Sequence, residues 1–190
     1  MSRAGTATRR RVVESAIERM KRNGVAATSM LDAIADAGAS RGSLYHYFPG
    51  GKAQLIEEAT DAACGEYTAA FALLETLDAE QAIPAMVEYW RTQVEATDYE
   101  AGCPVAAAAL SGSETVTARA RAGDGFDAWE RSIERMLLNS RVPTDRASSL
   151  ASLILASVEG AVVVSLAQRS MEPMESVADE LLKAVDAARS

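Results

Sequence analysis

Residues 41–48 hold an arginine, a histidine, two tyrosines and a phenylalanine. Three of the chain's ten Phe, Trp and Tyr residues fall here, and Pro49-Gly50-Gly51 then leads to Lys52. Such side chains present N–H and O–H donors beside aromatic faces. Three chemistries use that combination: a catalytic site, a phosphate-binding loop, or a surface that touches nucleic acid. His46 is the only histidine. The chain offers neither a Ser-His-Asp set nor a glycine-rich loop after a strand, so an enzyme is not expected. Gly50-Gly51-Lys52 lacks the spacing and the Ser or Thr of a nucleotide-binding P-loop. The two cysteines, Cys64 and Cys103, have no metal-like spacing, and no metal or other cofactor is expected.

The nucleic-acid reading depends on how these residues are carried. Val12, Val13, Ala16, Ile17 and Met20 form one apolar stripe at helical spacing, and Asn23-Gly24 marks the end of that first helix. Thr28 or Ser29 can cap a second helix that runs through Met30, Ile34 and Ala37 and stops at Gly38. Ser40 can cap a third, short helix that ends before Pro49. Helix, glycine turn and short helix is the helix-turn-helix pattern, whose second helix enters the major groove with its N-terminal residues toward base edges. Arg41 then suits a bidentate contact to guanine or a grip on phosphate. Gly42 leaves room for close approach, and Ser43 donates to either partner. Tyr45, His46 and Tyr47 suit phosphate oxygens. Lys52, Thr28 and Ser29 sit at helix N-termini, where free amides favour the same group. Plainer roles stand beside these: Tyr45 and Tyr47 as core aromatics, His46 as a surface residue or a pH switch, and Arg9–Arg11 as a solvated run or an arm along the backbone.

Charge supports the division of labour. Residues 1–52 hold nine Lys and Arg against four acids, whereas the remainder holds ten against 23. A basic head on an acidic body confines any approach to DNA to the head. An uneven scatter of solvated charge is the plain alternative. No apolar run approaches the roughly 20 residues of a membrane span, and the N-terminus lacks the apolar core of a secretory signal. Free thiols and these absences imply a cytoplasmic protein with no membrane partner.

Beyond a fourth helix from Lys52 to about Leu77, helices are expected at 80–97, 103–111, 114–139, 143–169 and 174–188. Pro84 reads as a first-turn proline or a kink, and Gly123-Asp124-Gly125 as a possible break. No stretch alternates like a strand. The stripe of Leu150, Ile154, Val158 and Val162, with Leu181 and Val185 on the last helix, suits a four-helix interface between two copies. Burial within one protomer would leave the same pattern. Half-sites about 34 Å apart call for a dimer and tip the reading that way.

At residues 24–55 a resemblance becomes specific. Gly24, Thr28-Ser29, Ala37-Gly38, Ser40-Arg41-Gly42-Ser43-Leu44-Tyr45-His46-Tyr47-Phe48, Lys52 and Leu55 resemble the DNA-binding domain of TetR-family repressors. The match covers residues 8–55. Residues 102–106, GCPVA, are similar to the LmrA/YxaF-like branch. The resemblance implies phosphate contacts from Tyr45, Tyr47 and Lys52, a buried Phe48, and an effector cavity in the body. Ala33-Ile34 departs from the more common Ile-Ala, which bears on how the two helices cross. Tyr67, Phe71, Met86, Tyr89, Trp90, Cys103, Trp129 and Glu159 are the candidates for that cavity, apolar with a few polar groups. Each Trp could equally be plain core, and Glu159 could face solvent. Cys103, near a helix N-terminus before Pro104, could carry a lowered pKa.

The expected architecture is all-α: a three-helix helix-turn-helix domain over residues 1–52, then a helical effector-binding and dimerisation domain over 53–190. The expected partners are double-stranded operator DNA, a small hydrophobic or aromatic effector and a second copy of the chain. A helical protein-interaction module that does not bind DNA is the alternative.

Overall fold

A computed structural model describes residues 3–189. Among them there is no strand. Nine α-helices follow in order: α1 Arg3–Ala27, α2 Met30–Asp36, α3 Leu44–Tyr47, α4 Gly51–Leu74, α5 Ala79–Glu95, α6 Pro104–Ala109, α7 Val116–Asn139, α8 Thr144–Gln168 and α9 Glu172–Arg189. Short 3-10 turns at Arg41–Ser43 and Ser113–Thr115 lead into α3 and α7.

Packing divides the chain into two compact units. The first takes the chain up to Gly65 together with Cys103–Asp124; the second takes Glu66–Gly102 and the chain from Gly125. This differs from a division at residue 52. A long helix does not end where its packing partners change, and both α4 and α7 give residues to each unit. Gly123-Asp124-Gly125 lies inside an unbroken α7, with the change of unit after Asp124.

In the first unit, α1 packs on α2 and α6. Val12, Ala16, Met20, Ile34, Leu44, Phe48, Leu55 and Ile56 are its buried core. The expected stop at Asn23-Gly24 appears as a break within α1: Gly24 has φ 72 and ψ 172. Gly38 after α2 also has positive φ, 68, a conformation with little penalty for glycine. Arg19 joins Asp32 at 3.3 Å and Asp36 at 2.9 Å, which ties α1 to α2.

In the second unit, α8 and α5 both pack on α9. Ile83, Trp90, Trp129, Ile133, Met136, Leu137 and Met174 are buried there. Pro84 lies inside α5 rather than in its first turn. Pro143 occupies the N-cap of α8 rather than its first turn, while Pro104 opens α6 as expected. Gly102 belongs to this unit, and a Cβ on it would lie 2.9 Å from Leu166 Cδ1. The glycine therefore lets the chain pass close to α8.

The helix α8 changes one expectation. It is long and apolar enough to cross a membrane by length and composition. The sequence reading missed this because scattered Ser and Gly residues interrupt the run without making it polar. In this fold α8 buries Ala147, Leu150, Ala151, Ile154, Leu155, Val158, Ala161, Val162 and Ser165 within the protomer. A core helix meets the same length and composition test.

Candidate nucleic-acid interface and ligand cavity

The first unit holds the candidate DNA surface. Ser29 caps α2, its hydroxyl accepting from the Asp32 amide at 3.3 Å. Thr28 is the correction: it is 1% exposed, and its hydroxyl donates to the Gly24 carbonyl at 2.8 Å. That hydroxyl secures the corner between α1 and α2, and the Thr28 amide donates to the Val25 carbonyl at 3.2 Å, so both of its donors are taken within the protein. Ser40 sits at the entry to the 3-10 turn but makes no capping bond. Instead the Ser43 hydroxyl donates back to the Ser40 carbonyl at 2.7 Å. Arg41 and Gly42 on that turn are exposed, and Ser43 is half-buried.

The single turn of α3 sorts its residues sharply. Leu44 and Phe48, four apart, are buried at 3% and 0%, whereas Tyr45 is 72% exposed. His46 is exposed, and its ring meets half-buried Tyr47 edge-on at 5.5 Å. Tyr45 is thus no core aromatic. Lys52 Nζ donates to the Ala26 carbonyl at 2.8 Å, so the amine lies beside the corner that Thr28 secures. Arg41, Tyr45 and His46 are exposed and Lys52 is half-buried, in a stretch with no acid among residues 37–56.

One residue of this unit was missed by its role. Arg9 is no solvated arm. Its guanidinium lies 5.1 Å from the centre of the Phe48 ring, its Nε donates to the Tyr47 carbonyl, and it pairs with Glu58 of α4. Gln54 Nε2 also donates to Glu58, at 2.9 Å. Arg9 therefore clasps the C-terminal end of α3, where the carbonyls of a short helix need donors. No pattern along the sequence singles out Arg9 from Arg10 and Arg11; the clasp exists only because three helices meet.

The second unit holds a partly open cavity of about 290 Å³. Tyr67, Phe71, Met86, Tyr89, Trp90, Trp129 and Glu159 all line it, and the lining is otherwise apolar. Their rings form one assembly. Trp129 stacks on Phe71 at 5.3 Å and 14°, and Tyr67 stacks on Trp90 at 6.1 Å and 24°. Tyr89 meets both Tyr67 and Trp90 edge-on. Trp129 Nε1 donates to the Thr68 hydroxyl at 3.1 Å, which satisfies its one donor. Glu159 is half-buried, with its Oε2 closed off from solvent.

Cys103 does not line this cavity. It belongs to the first unit, is 7% exposed, and caps α6 by accepting the Ala106 amide on its sulfur at 3.4 Å. Leu74, Leu77, Ile133, Ile154, Leu155 and Val158 are lining residues that the sequence did not single out for the cavity. Helical spacing was the available signal: residues 154, 155, 158 and 159 share one face of α8.

The proposed interface residues also need correction. Leu150, Ile154, Val158, Val162, Leu181 and Val185 are each no more than 6% exposed within the single protomer. Ile154 and Val158 face the cavity. The apolar stripe of α8 is the inward face, and its outward face is apolar as well: Leu153, Val163 and Val164 are 49%, 61% and 42% exposed. A groove of about 330 Å³ beside Leu153 and Ser157 is closed by Ser176, Val177, Glu180, Leu181 and Ala184 of α9.

Comparisons with known proteins agree with this geometry. Residues 12–59 match the model of bacterial regulatory proteins of the tetR family. Residues 79–180 match the C-terminal domain of LmrA/YxaF-like transcriptional regulators. An uncharacterized HTH-type transcriptional regulator of Mycobacterium tuberculosis, Rv0196, is 37% identical over 91% of both chains. The HTH-type transcriptional regulator LmrA of Bacillus subtilis is 27% identical over 93% of this chain and 97% of its own. Among solved structures, a TetR transcriptional regulator from Chloroflexus aurantiacus superposes with a TM-score of 0.79, at 27% identity and 97% coverage of each chain. The chain belongs to the TetR family of DNA-binding transcriptional regulators, with a C-terminal domain of the LmrA/YxaF-like type.

Proposed function

We propose that the protein is a cytoplasmic repressor that binds a palindromic operator as a homodimer and releases it when a small hydrophobic or aromatic molecule fills the cavity. The observation that carries the operator reading is the sorting of α3. Leu44 and Phe48 anchor it from below, and Arg41, Tyr45 and His46 are left outside with donors free to meet DNA. In this reading Arg41 and Ser43 address bases, while Tyr45, Tyr47 and Lys52 hold phosphates.

The dimer reading rests on the outward face of α8. From residue 147 to 168 the helix carries one charged residue, Glu159, and exposes Leu153, Val163 and Val164. A second copy laid across that face and α9 would remove those side chains from water and form a four-helix interface. Effector response is a population shift: the ligand favours a state whose two α3 helices are wrongly spaced for successive major grooves. Two helices supply residues to both units. Lys52 and Tyr67 lie on α4, and Arg121, paired with Glu57 and Asp61, shares α7 with Trp129.

The test is fluorescence anisotropy on labelled duplexes, including DNA upstream of the protein's own gene, at two salt concentrations. Wild type is expected to bind in the nanomolar range with a steep salt dependence. Tyr45→Ala with Lys52→Ala is expected to weaken binding by about 10- to 100-fold and to lower the salt slope by about one. Binding untouched by the double substitution removes the α3 surface from the reading. No binding to any duplex favours the protein-interaction alternative.

A further inference from the structure

The cavity is not walled evenly. On α7 and α8 its lining side chains are buried, apart from half-buried Glu159. On the outer side Leu73 is 70% exposed and Ala85 is exposed as well, so the cavity opens between the end of α4 and the first half of α5.

These two edges of the mouth are held very differently. Tyr67 is the last buried residue of α4, and from residue 68 to 78 not one residue is buried. Yet residues 69–74, AAFALL, are all apolar. The start of α5 buries Ala79, Ala82 and Ile83. The Ala79 amide donates to the Ser140 hydroxyl at 2.8 Å, and Glu80 pairs with Arg189 of α9. A segment with few buried contacts is the one that opens locally while its surroundings stay folded.

What fastens the loose end is α7. Phe71 stacks on Trp129. Beyond it, Arg135 Nη2 donates to Glu75 Oε1 at 2.5 Å and to the Ser132 hydroxyl at 3.2 Å, and Asn139 Nδ2 donates to the Glu75 carbonyl at 2.9 Å. The hydrogen bond from Arg135, then that from Ser132, holds the Glu75 carboxyl below its ordinary value, so the pair is charged at neutral pH. The Arg135 side chain is 52% exposed. An ion pair so open to solvent is weak and weakens further in salt. It suits a closure that must release often.

We propose that residues 69–78, the end of α4 and its corner, are the door of the cavity, and that the Glu75–Arg135 pair is its latch. The start of α5 is the fixed jamb, and Leu73 closes over the apolar lining. The latch sets how fast a guest enters and leaves, not how tightly it is held once inside. The purpose of the door rests on the cavity being the effector site, but access to the cavity is measurable without any effector.

Trp90 and Trp129 are the chain's two tryptophans, both line the cavity, and they are 5% and 1% exposed. Acrylamide, an uncharged quencher that must touch an indole, therefore reads how often the door opens. The wild-type quenching rate is expected to lie at least about fivefold below that of N-acetyltryptophanamide. Glu75→Gln and Arg135→Gln are each expected to raise it about two- to fivefold. Wild type in about 1 M NaCl is expected to move toward the variants, and the variants to respond little. Arg189→Gln, which removes an ion pair on the jamb side, is expected to leave quenching unchanged.

No rise in either latch variant overturns the latch. An equal rise in Arg189→Gln overturns the door as a local element, because the whole unit would then have loosened. A wild-type rate near that of the free indole overturns both, because the cavity would stand open. If the latch variants do not fold, the salt response of the wild type decides. A latched cavity whose filling never changes operator affinity fails the effector reading alone and leaves the door standing.

Discussion

The DNA-facing surface and the cavity are built on opposite plans. The surface is local: Arg41 through Lys52 spans one 3-10 turn, one helical turn and one corner, and Arg41, Tyr45 and His46 within it are exposed. The cavity is non-local: its lining comes from α4, α5, α7 and α8, with Tyr67 and Glu159 separated by 91 intervening residues. A short, exposed element has little of its own to hold it, so it relies on anchors beneath, Leu44 and Phe48, and on the Arg9 clasp behind. The cavity holds itself through ring-on-ring contacts. Damage to the surface is therefore expected to cost binding with little stability, and damage to the cavity wall to cost stability first.

The sharpest way to break this contrast is Trp129→Ala. The side chain is 1% exposed and touches Tyr67, Phe71 and Phe126. Its removal is expected to destabilise the fold by about 3–5 kcal/mol, read from urea or guanidinium denaturation. A loss below about 1 kcal/mol would mean that the cavity wall is not self-supporting.

Val163→Glu sets a charge on the outward face of α8, where burial in the protomer is not at stake. The expected outcome is a dimer at least tenfold weaker by light scattering across a dilution series, equivalent to about 1.4 kcal/mol, with an unchanged monomer fold. A dimer of unaltered affinity would move the interface away from this face.

Arg9→Ala tests whether the surface depends on its clasp. It removes the contact with Phe48, the bond to the Tyr47 carbonyl and the pair with Glu58. The expected cost is about 1 kcal/mol in stability, with a weaker grip on DNA that Arg10→Ala does not reproduce. Equal effects from both substitutions would return Arg9 to a general charge role.

The smallest expected effect concerns acid. The hydrogen bonds from Ser15 and Arg19 hold the Asp36 carboxyl below its ordinary value. A carboxylate lowered in the folded state stabilises that state above its unfolded pKa, and the benefit fades as pH falls through the lowered folded value. Wild type is expected to lose slightly more stability than Asp36→Asn between neutral pH and pH 3. Parallel pH profiles for the two proteins would show that the α1–α2 tie does not depend on this charge.

Much of the head was legible because its information is short-range. Gly38, Ser29 and the 41–48 stretch each act within a few residues through turn geometry, capping or side-chain type. Ser40, which makes no capping bond, and Thr28 were exceptions, and Thr28 is the more instructive. In the sequence it reads as a cap or as a helix N-terminus with free amides, but its amide donates to the Val25 carbonyl and its hydroxyl to the Gly24 carbonyl, at the break in α1. In the body, the aromatic residues were legible as a class because large apolar side chains must gather somewhere. Cys103 was misplaced because proximity along the chain to Pro104 says nothing about which unit the α6 cap joins.

The amino-acid sequence by itself determined an all-helical chain, a basic head, a glycine-bounded helix-turn-helix and a supply of aromatics for an apolar cavity. These follow from periodicity, turn chemistry and charge, which act along the chain. Only the tertiary structure decided which face of α8 looks inward. Both faces are apolar, so helical spacing is satisfied either way, and Ile154 and Val158 went to the cavity wall while Val163 and Val164 stayed outside. The same holds for Arg9 and Glu159. What a charged side chain does depends on the neighbours that folding brings to it, and those neighbours lie on other helices.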